Sequence, residues 1–316
     1  MGTTSTRNDR VGHLLAGFAG LVIASCATGA SAQSSGSLDS GQGGGDDPYA
    51  YLPSSISVQA VIRDFREAQA PNGHPDFEVF SGTLRVGHVA NQLDEDGKPV
   101  LASAAGWEVS ADYRDAAGHP INPALYDPDR GDQAGILVER DDARITSEES
   151  FASWYRDTPG VNTSIRVPIV MQRQHNSNIY VFDSAVAEPY KTRGGFFPID
   201  GQGYGNYSST GHNFHFTTEL ATQFVYDADA GSVFKFAGDD DVWVYIDDKL
   251  VIDLGSVHGK REQYLDLSRL DWLEDGRAYT LRVFHAERKT NQSNFRIETS
   301  LMLRSLPTPA TAALFD

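Results

Sequence analysis

Cysteine is almost missing from this chain. Cys26 is the only one in 316 residues, so no disulfide can close within it. Positive charge is scarce as well: 26 Lys and Arg stand against 43 Asp and Glu, for a formal net charge of −17. Binding a phosphate backbone requires a basic surface, so this balance argues against a nucleic-acid partner. It suits an extracellular surface, or one that collects cations. Long apolar runs are lacking too. The longest, "LLAGFAGLVIA" at residues 14–24, is too short to span a bilayer, so no transmembrane span is predicted. Finally, there is no G-x-S-x-G, no HExxH, no P-loop and no GxGxxG, and "GQGYG" has the wrong spacing for the last of these. These absences predict a protein that is not an enzyme.

What is present begins with an export signal. Arg7 and Arg10 precede the apolar run, and Ala30-Ser31-Ala32 forms a small-x-small cleavage site. A signal peptide over residues 1–32, cleaved after Ala32, is expected. The alternative is lipidation: "VIASC" resembles a lipobox ending at Cys26, which would anchor the chain by lipid. Residues 33–47 are Gly/Ser-rich and read as a linker. Residues 306–316, rich in Pro, Thr and Ala, read as a flexible tail. The domain then spans 48–305, with an N-terminal part at 48–190 and a core at 191–305. Asn162, Asn206 and Asn291 head Asn-x-Ser/Thr triplets, which matter only in a glycosylating host.

The body alternates with period two. In "DVWVYID", Val242, Val244 and Ile246 share one face while Trp243 and Tyr245 take the other; in "KLVIDLG", Leu250, Ile252 and Leu254 alternate likewise. "SISVQAVIRDF", "GTLRVGHV", "SVFKFAG", "AYTLRVFHA" and "NFRIETSLMLR" read as further strands. A hairpin turn is expected at residues 247–249, with Asp248 left-handed. Many short antiparallel strands predict an all-β sandwich or barrel. One short helix is expected near 147–157, with a Thr146/Glu149 capping box, an apolar face of Phe151, Trp154 and Tyr155, and a stop at Pro159-Gly160.

Three consecutive carboxylates, Asp239, Asp240 and Asp241, interrupt this pattern in "FKFAGDDDVWVYIDD". Adjacent carboxylates repel unless something cationic or hydrogen-bonding sits among them. One reading is a turn whose side chains cap backbone N–H groups. The other is a hard cation: an all-oxygen set points to Ca²⁺, which takes six to eight oxygens. A second loop would have to complete that shell. "HAERKTNQSNF", with the amide oxygens of Asn291 and Asn294 and its backbone carbonyls, is the best source. His212 and His215 in "GHNFHF" are three apart and face opposite ways on a strand, so they predict structural roles rather than zinc. "HPDFE" at 74–78 is a mixed histidine and acid cluster.

The segment "FKFAGDDDVWVYIDDKLVIDLGSVHG" resembles the core of the PA14 superfamily, in which a small-Asp-Asp turn precedes "VxVYIDGKLVID". With "VIRDF", "HPDFE", "FASWYRDTPGVN", "FFPIDGQGYG", "GHNFHFTTEL" and "HAERKTNQSNFRIETSL" in the same order, the chain is similar to the fibro-slime branch across about residues 50–305. The resemblance implies a PA14-like antiparallel β-sandwich with long inserted loops. In sugar-binding relatives, an Asp-Asp pair joined by a cis peptide holds Ca²⁺, and the ion ligates vicinal sugar hydroxyls. By position, that makes Asp239 and Asp240 metal ligands, with Asn294 and then Asn291 from the second loop. Asp241, Trp243 and Lys289 are then candidates for contact with the ligand, Trp243 by stacking on a sugar if it faces outward. The implied function is a secreted or cell-surface, Ca²⁺-dependent carbohydrate-binding or adhesive module with matrix or cell-surface glycans as partners. The alternatives are a structural matrix or envelope protein without a small-molecule site, and an accessory module of polysaccharide hydrolysis. Asp248 and Ser256 stand where the family usually has glycine. Slime-mould members are often cysteine-rich; this chain is not, which points to a bacterial source.

Overall fold

A computed structural model of the chain describes residues 47–306. The predicted signal peptide, Cys26, nearly all of the linker and all but the first residue of the tail lie outside the described residues. Within them the strands are, in chain order, β1 (Ser55–Asp64), β2 (Arg85–Val86), β3 (Trp107–Ala111), β4 (Ile136–Glu139), β5 (Thr163–Arg173), β6 (Tyr180–Asp183), β7 (Phe216–Val225), β8 (Val233–Gly238), β9 (Asp241–Ile246), β10 (Lys249–Leu254), β11 (Arg261–Asp266), β12 (Ala278–Glu287), β13 (Phe295–Thr299) and β14 (Arg304–Ser305). The two α-helices are a single turn or little more: α1 (Glu148–Ala152) and α2 (Tyr190–Arg193).

One antiparallel sheet carries most of the chain, in the order β10-β9-β12-β7-β1-β5-β6-β13-β8-β11, with β14 paired to β7. β1, β5 and β6 come from the N-terminal part and lie in the middle of this order. The sheet folds over on itself, because inward residues from every strand of that order share one apolar core: Ile62, Ile169, Phe182, Phe224, Phe236, Val244, Ile252, Leu265, Val283 and Ile297 among them. The two ends of the order also meet. The Gln263 side chain on β11 accepts from the Asp253 N–H and donates to the Asp253 carbonyl on β10, at 2.8 and 2.9 Å. A small second sheet, β2-β3-β4, sits apart and is tied to the first where Arg85 bridges Gly255.

The period-two reading of β9 describes its packing. Val242, Val244 and Ile246 lie in the main core. Trp243 and Tyr245 face the other way, into a second cluster with Phe284, Phe151, Trp154 and Tyr155. Both faces of β9 are therefore covered, the outer one by the segment around α1. β10 departs from simple alternation. Its register shifts between Leu250 and Ile252, so Leu250 joins the outer cluster while Val251, Ile252 and Leu254 join the inner one. A β-bulge adds one residue and reverses the facing beyond it. The turn before it is left-handed at both Asp247 (φ 53) and Asp248 (φ 61), the geometry of a tight two-residue hairpin.

Three further local expectations change. The helix cap is Ser147, not Thr146. Ser150 N–H donates to Ser147 Oγ at 3.0 Å and Ser147 N–H to Ser150 Oγ at 3.1 Å, while Thr146 N–H is drawn to Asp76 Oδ1 at 2.7 Å. The helix also ends at Ala152 rather than at Pro159. Asn162 Nδ2 donates to the Ser153 and Arg156 carbonyls at 2.9 and 2.8 Å, taking acceptors that further helical turns would use. In "GTLRVGHV" only Arg85 and Val86 pair as strand.

Candidate calcium and ligand cleft

The aspartate run does not close a hairpin. β8 pairs with β13 and β11, while β9 pairs with β12 and β10. Asp239 and Asp240 thus carry the chain from one end of the folded sheet to the other. Gly238 permits the close approach that precedes them: a Cβ there would meet the Asn294 carbonyl oxygen at 2.4 Å. The Asp239–Asp240 peptide is cis.

The three carboxylates then take three different surroundings. Asp239 reaches the residue that precedes β13: its Oδ1 accepts from Asn294 N–H at 2.5 Å and its Oδ2 from Asn294 Nδ2 at 2.9 Å. Its own carbonyl accepts from His285 Nε2 at 2.8 Å. Asp240 draws in two loops, accepting from His258 N–H at 3.2 Å and Arg288 N–H at 3.1 Å. Asp241 turns away. It accepts from Ser256 N–H and from Arg288 Nε, both at 2.6 Å, and both partners of the Asp241–Arg288 pair are inaccessible. Ser256 is left-handed, φ 74, a conformation that favours glycine; its bond to Asp241 offsets a cost of about 1 kcal/mol.

Asp239 and Asp240 line a cleft of about 360 Å³ together with Ser81, His258, Lys289 and Asn291. Close to Asp240 and Asp239 lies Glu287, wholly buried, with neither carboxylate oxygen in a hydrogen bond. Ser293 and the Lys289 N–H are the donors near enough to favour its charge, but the Ser293 hydroxyl is spent on the Phe196 carbonyl at 2.7 Å. Burial, with Asp240 and Asp239 adding repulsion, pushes the Glu287 carboxyl far above the usual carboxylate range. Burial likewise raises Asp240, against the pull of Arg288, and raises Asp239 against its two bonds to Asn294. Burial holds His285 neutral, at about 4.

The local charge is therefore unbalanced. Among the described residues, Arg288 is the buried cation near these acids; its guanidinium is bonded to Asp241 and only pulls on Asp240 from a distance, so three acids share less than one positive charge. An ion of about +2 would relieve this. Among the described residues, no three His, Cys, Asp or Glu side chains converge on one point. The donor set thus fits Ca²⁺ only if two carboxylates are supplemented by loop carbonyls, amides and water, as a hard cation accepts. Each carboxylate oxygen of Asp239 and Asp240 makes one hydrogen bond, and an ionised carboxylate has about four acceptor positions.

The other nominated residues divide. Asn291 and Lys289 line the cleft. Asn294 supports Asp239 through its amide nitrogen. Trp243 does not reach the cleft: it is buried, donates from Nε1 to Asp253 Oδ1 at 3.0 Å, and packs with its centroid 5.7 Å from Phe151. It is wholly inaccessible, so it has no face for a sugar. Asp241 is likewise closed off by Arg288 and Ser256. Lys289 has a partner, Glu78, at 2.7 Å.

Glu287 was not picked out from the sequence, and Glu78 only as part of an acid and histidine cluster with no assigned partner. Glu78 comes from the "HPDFE" segment. It accepts from Thr290 N–H at 3.0 Å, Thr290 Oγ1 at 2.8 Å and His215 Nε2 at 3.1 Å, besides Lys289. These bonds against burial hold its carboxyl down at about 2. It latches the second loop from 212 positions away. Glu287 did leave a sequence signal: it falls on the inward face of β12 with Val283 and His285, where an acid needs a partner.

A second cleft, of about 350 Å³, is lined by His74 and Ser153. The order Ser153–His74–Asp76 has the composition of a nucleophile relay, yet its protons run the wrong way. Asp76 N–H donates to His74 Nδ1 at 3.2 Å, so Nε2 carries the proton and donates toward Ser153 Oγ (2.9 Å) and the Ser150 carbonyl (3.1 Å). Ser153 Oγ itself donates to Ser150 O at 2.8 Å. In this tautomer His74 cannot take the Ser153 proton.

The cis Asp pair on a crossover, with an asparagine loop behind it, leads to the family comparison. Residues 199–308 match the PA14 domain. This PA14 segment holds the crossover, Glu287 and the asparagine loop, whereas Glu78 and α1 lie outside it. The chain is 38% identical to protein psiQ of Dictyostelium discoideum over 263 residues, covering 79% of this chain and 21% of that one. Protein psiI of the same organism is 39% identical over 260 residues, with 78% and 30% covered. The chain spans less than half the length of these relatives. Because they come from a slime mould, they lend no support to a bacterial source. Among solved structures, the PA14 domain of the MpAFP antifreeze protein aligns over 32% of this chain and 58% of that one, at 11% identity and a TM-score of 0.22.

Proposed function

We propose that this chain is a secreted or cell-surface, Ca²⁺-dependent carbohydrate-binding module of the fibro-slime branch, acting in adhesion or matrix rather than in catalysis. One observation carries the reading: two adjacent buried carboxylates, Asp239 and Asp240, line a cleft, with a third buried acid, Glu287, close enough to repel them. Asp239 and Asp240 would hold the ion, with Asn291 and the loop 286–294 completing its oxygens. When bound, Ca²⁺ supplies a Lewis-acidic centre that ligates neighbouring hydroxyls of a sugar. The chain's own residues shape access to it: Glu78 pins Lys289 and Thr290, and His258 is drawn onto Asp240. Export through the leader at 1–32, or anchoring at Cys26, belongs to the same proposal.

Calorimetry tests this. The chain should bind Ca²⁺ with measurable heat, and Asp240→Asn should weaken binding at least about tenfold, the loss of one charged ligand. Equal heats for both proteins would sink the reading. A structural matrix protein without a ligand is favoured instead by one fact, that all four carboxylate oxygens of Asp239 and Asp240 already accept a protein hydrogen bond. It predicts that a chelator leaves the melting temperature unchanged.

A further inference from the structure

A third cleft, again of about 360 Å³, opens beside the first. It lies between the start of β11 and the loop after β3, and is lined by Asp112, Arg114, Pro120, Lys260, Arg261 and Glu262. The two clefts are neighbours along the backbone: Gly259 lines the first and Lys260 the second.

The charge of this cleft runs against that of the molecule. In a chain of net −17, it gathers Arg114, Arg261 and Lys260. Asp112 answers both arginines, taking Arg114 at 2.8 Å and Arg261 through its other oxygen. Glu262 is answered from outside by Lys235 at 2.8 Å. Lys260 is exposed and forms no hydrogen bond or ion pair among the described residues. The result is an excess of positive charge, held in a concave site by a carboxylate that orients both guanidinium groups. Fixed, oriented donors of this kind suit a carboxylate or sulfate oxygen, and a free ammonium group supplies the point charge.

We propose that this cleft is a subsite for the anionic group of an acidic glycan, a uronate carboxylate or a sugar sulfate, whose neighbouring hydroxyls occupy the Asp239–Asp240 cleft. The inference rests on the carbohydrate-binding reading and adds the ligand class. An ion held by Asp239 and Asp240 would select hydroxyls without regard to the rest of the sugar. Lys260, with Arg114 and Arg261, selects acidic sugars and steers them toward an otherwise acidic protein.

The test titrates the chain with methyl β-glucuronide, glucose 6-sulfate and methyl β-glucoside, at physiological ionic strength, in Ca²⁺ and in chelator. In Ca²⁺ the wild type should prefer at least one anionic ligand over the glucoside by about tenfold, as one hydrogen bond to a charged group provides. Which anion is preferred tells carboxylate from sulfate. Lys260→Gln should remove most of that preference and leave the glucoside affinity unchanged, and Arg114→Gln should reduce it further. Equal affinity for all three ligands, a preference that survives both substitutions, or no binding of any ligand overturns the subsite. A preference that persists in chelator, is lost in Lys260→Gln, and comes with no calcium dependence for the glucoside upholds the subsite and overturns the calcium reading alone.

Discussion

Glu78 offers the sharpest test of how the cleft is held together. It accepts four hydrogen bonds, three of them from Lys289 and Thr290 in the loop beside the cleft. Its carboxyl is held at about 2, against an ordinary 4.5. Because the folded value lies below the unfolded one, the stabilisation is present above about pH 4.5 and fades as pH falls through about 2. Fully expressed, such a shift corresponds to at most ~3 kcal/mol. The Lys289 side chain is about a third exposed, so solvent screening reduces this to ~2 kcal/mol. Glu78→Ala should therefore lower the melting temperature by about 5 °C in a chain of this size. Glu78→Gln keeps an acceptor for Thr290 and should lose only about half as much. Both should weaken Ca²⁺ binding, since the loop they release flanks Asp239 and Asp240. Thermal melts at pH 7 and pH 3, with calorimetry on the same proteins, decide it. If Glu78→Ala melts within a degree of wild type at pH 7, or if its deficit does not shrink at pH 3, the latch is not there.

Other outcomes follow from the same geometry. Glu287→Gln removes an unpartnered buried carboxylate, so in chelator it should raise stability by ~1–2 kcal/mol while weakening Ca²⁺ binding; a lower melting temperature in chelator would mean that Glu287 is satisfied within the protein. Asp253 is raised by burial to about 7, so its contribution is present below about pH 4 and is lost as pH rises through 7. Wild type should lose melting temperature from pH 5 to pH 8 more steeply than Asp253→Asn, and parallel slopes would refute the assignment. Trp243→Ala should cost ~3–5 kcal/mol as a core truncation, whereas Trp243→Phe should fold and bind glycans as wild type does. A selective loss of glycan binding in Trp243→Phe would return Trp243 to the ligand site.

Much of the fold could be read from spacing. Val242, Val244 and Ile246 alternate with Trp243 and Tyr245, and a strand pleat turns that alternation directly into two faces. The pleat alone did not say that both faces are covered. That follows from α1 and Phe151, Trp154 and Tyr155 lying over β9 and β12, which no local pattern specifies. Leu250 shows a similar boundary. Its alternation with Ile252 was legible, but the bulge between them comes from pairing with β9. The capping box shifted by one residue because Asp76, 70 positions away, takes the Thr146 N–H.

The site divides in the same way. Asp239, Asp240 and the asparagines at 291 and 294 were legible as an acidic run and an amide-rich loop. Their roles were not, since carboxylate chemistry depends on what lies within hydrogen-bonding distance, and those partners are remote in sequence. The sequence by itself determined β1, β8 to β10, β12 and β13, the two faces of β9, the acidic character and the pair of loops that carry Asp239 and Asn294; β5, β7 and β11 were not read from it. Only the tertiary structure decided that Asp241 is spent on Arg288, that Trp243 is core, and that Glu287 is buried without a hydrogen bond near Asp239 and Asp240. The reason is physical: alternation is a local property of the backbone, whereas the charge state and partners of a buried carboxylate are set by groups that only folding brings together.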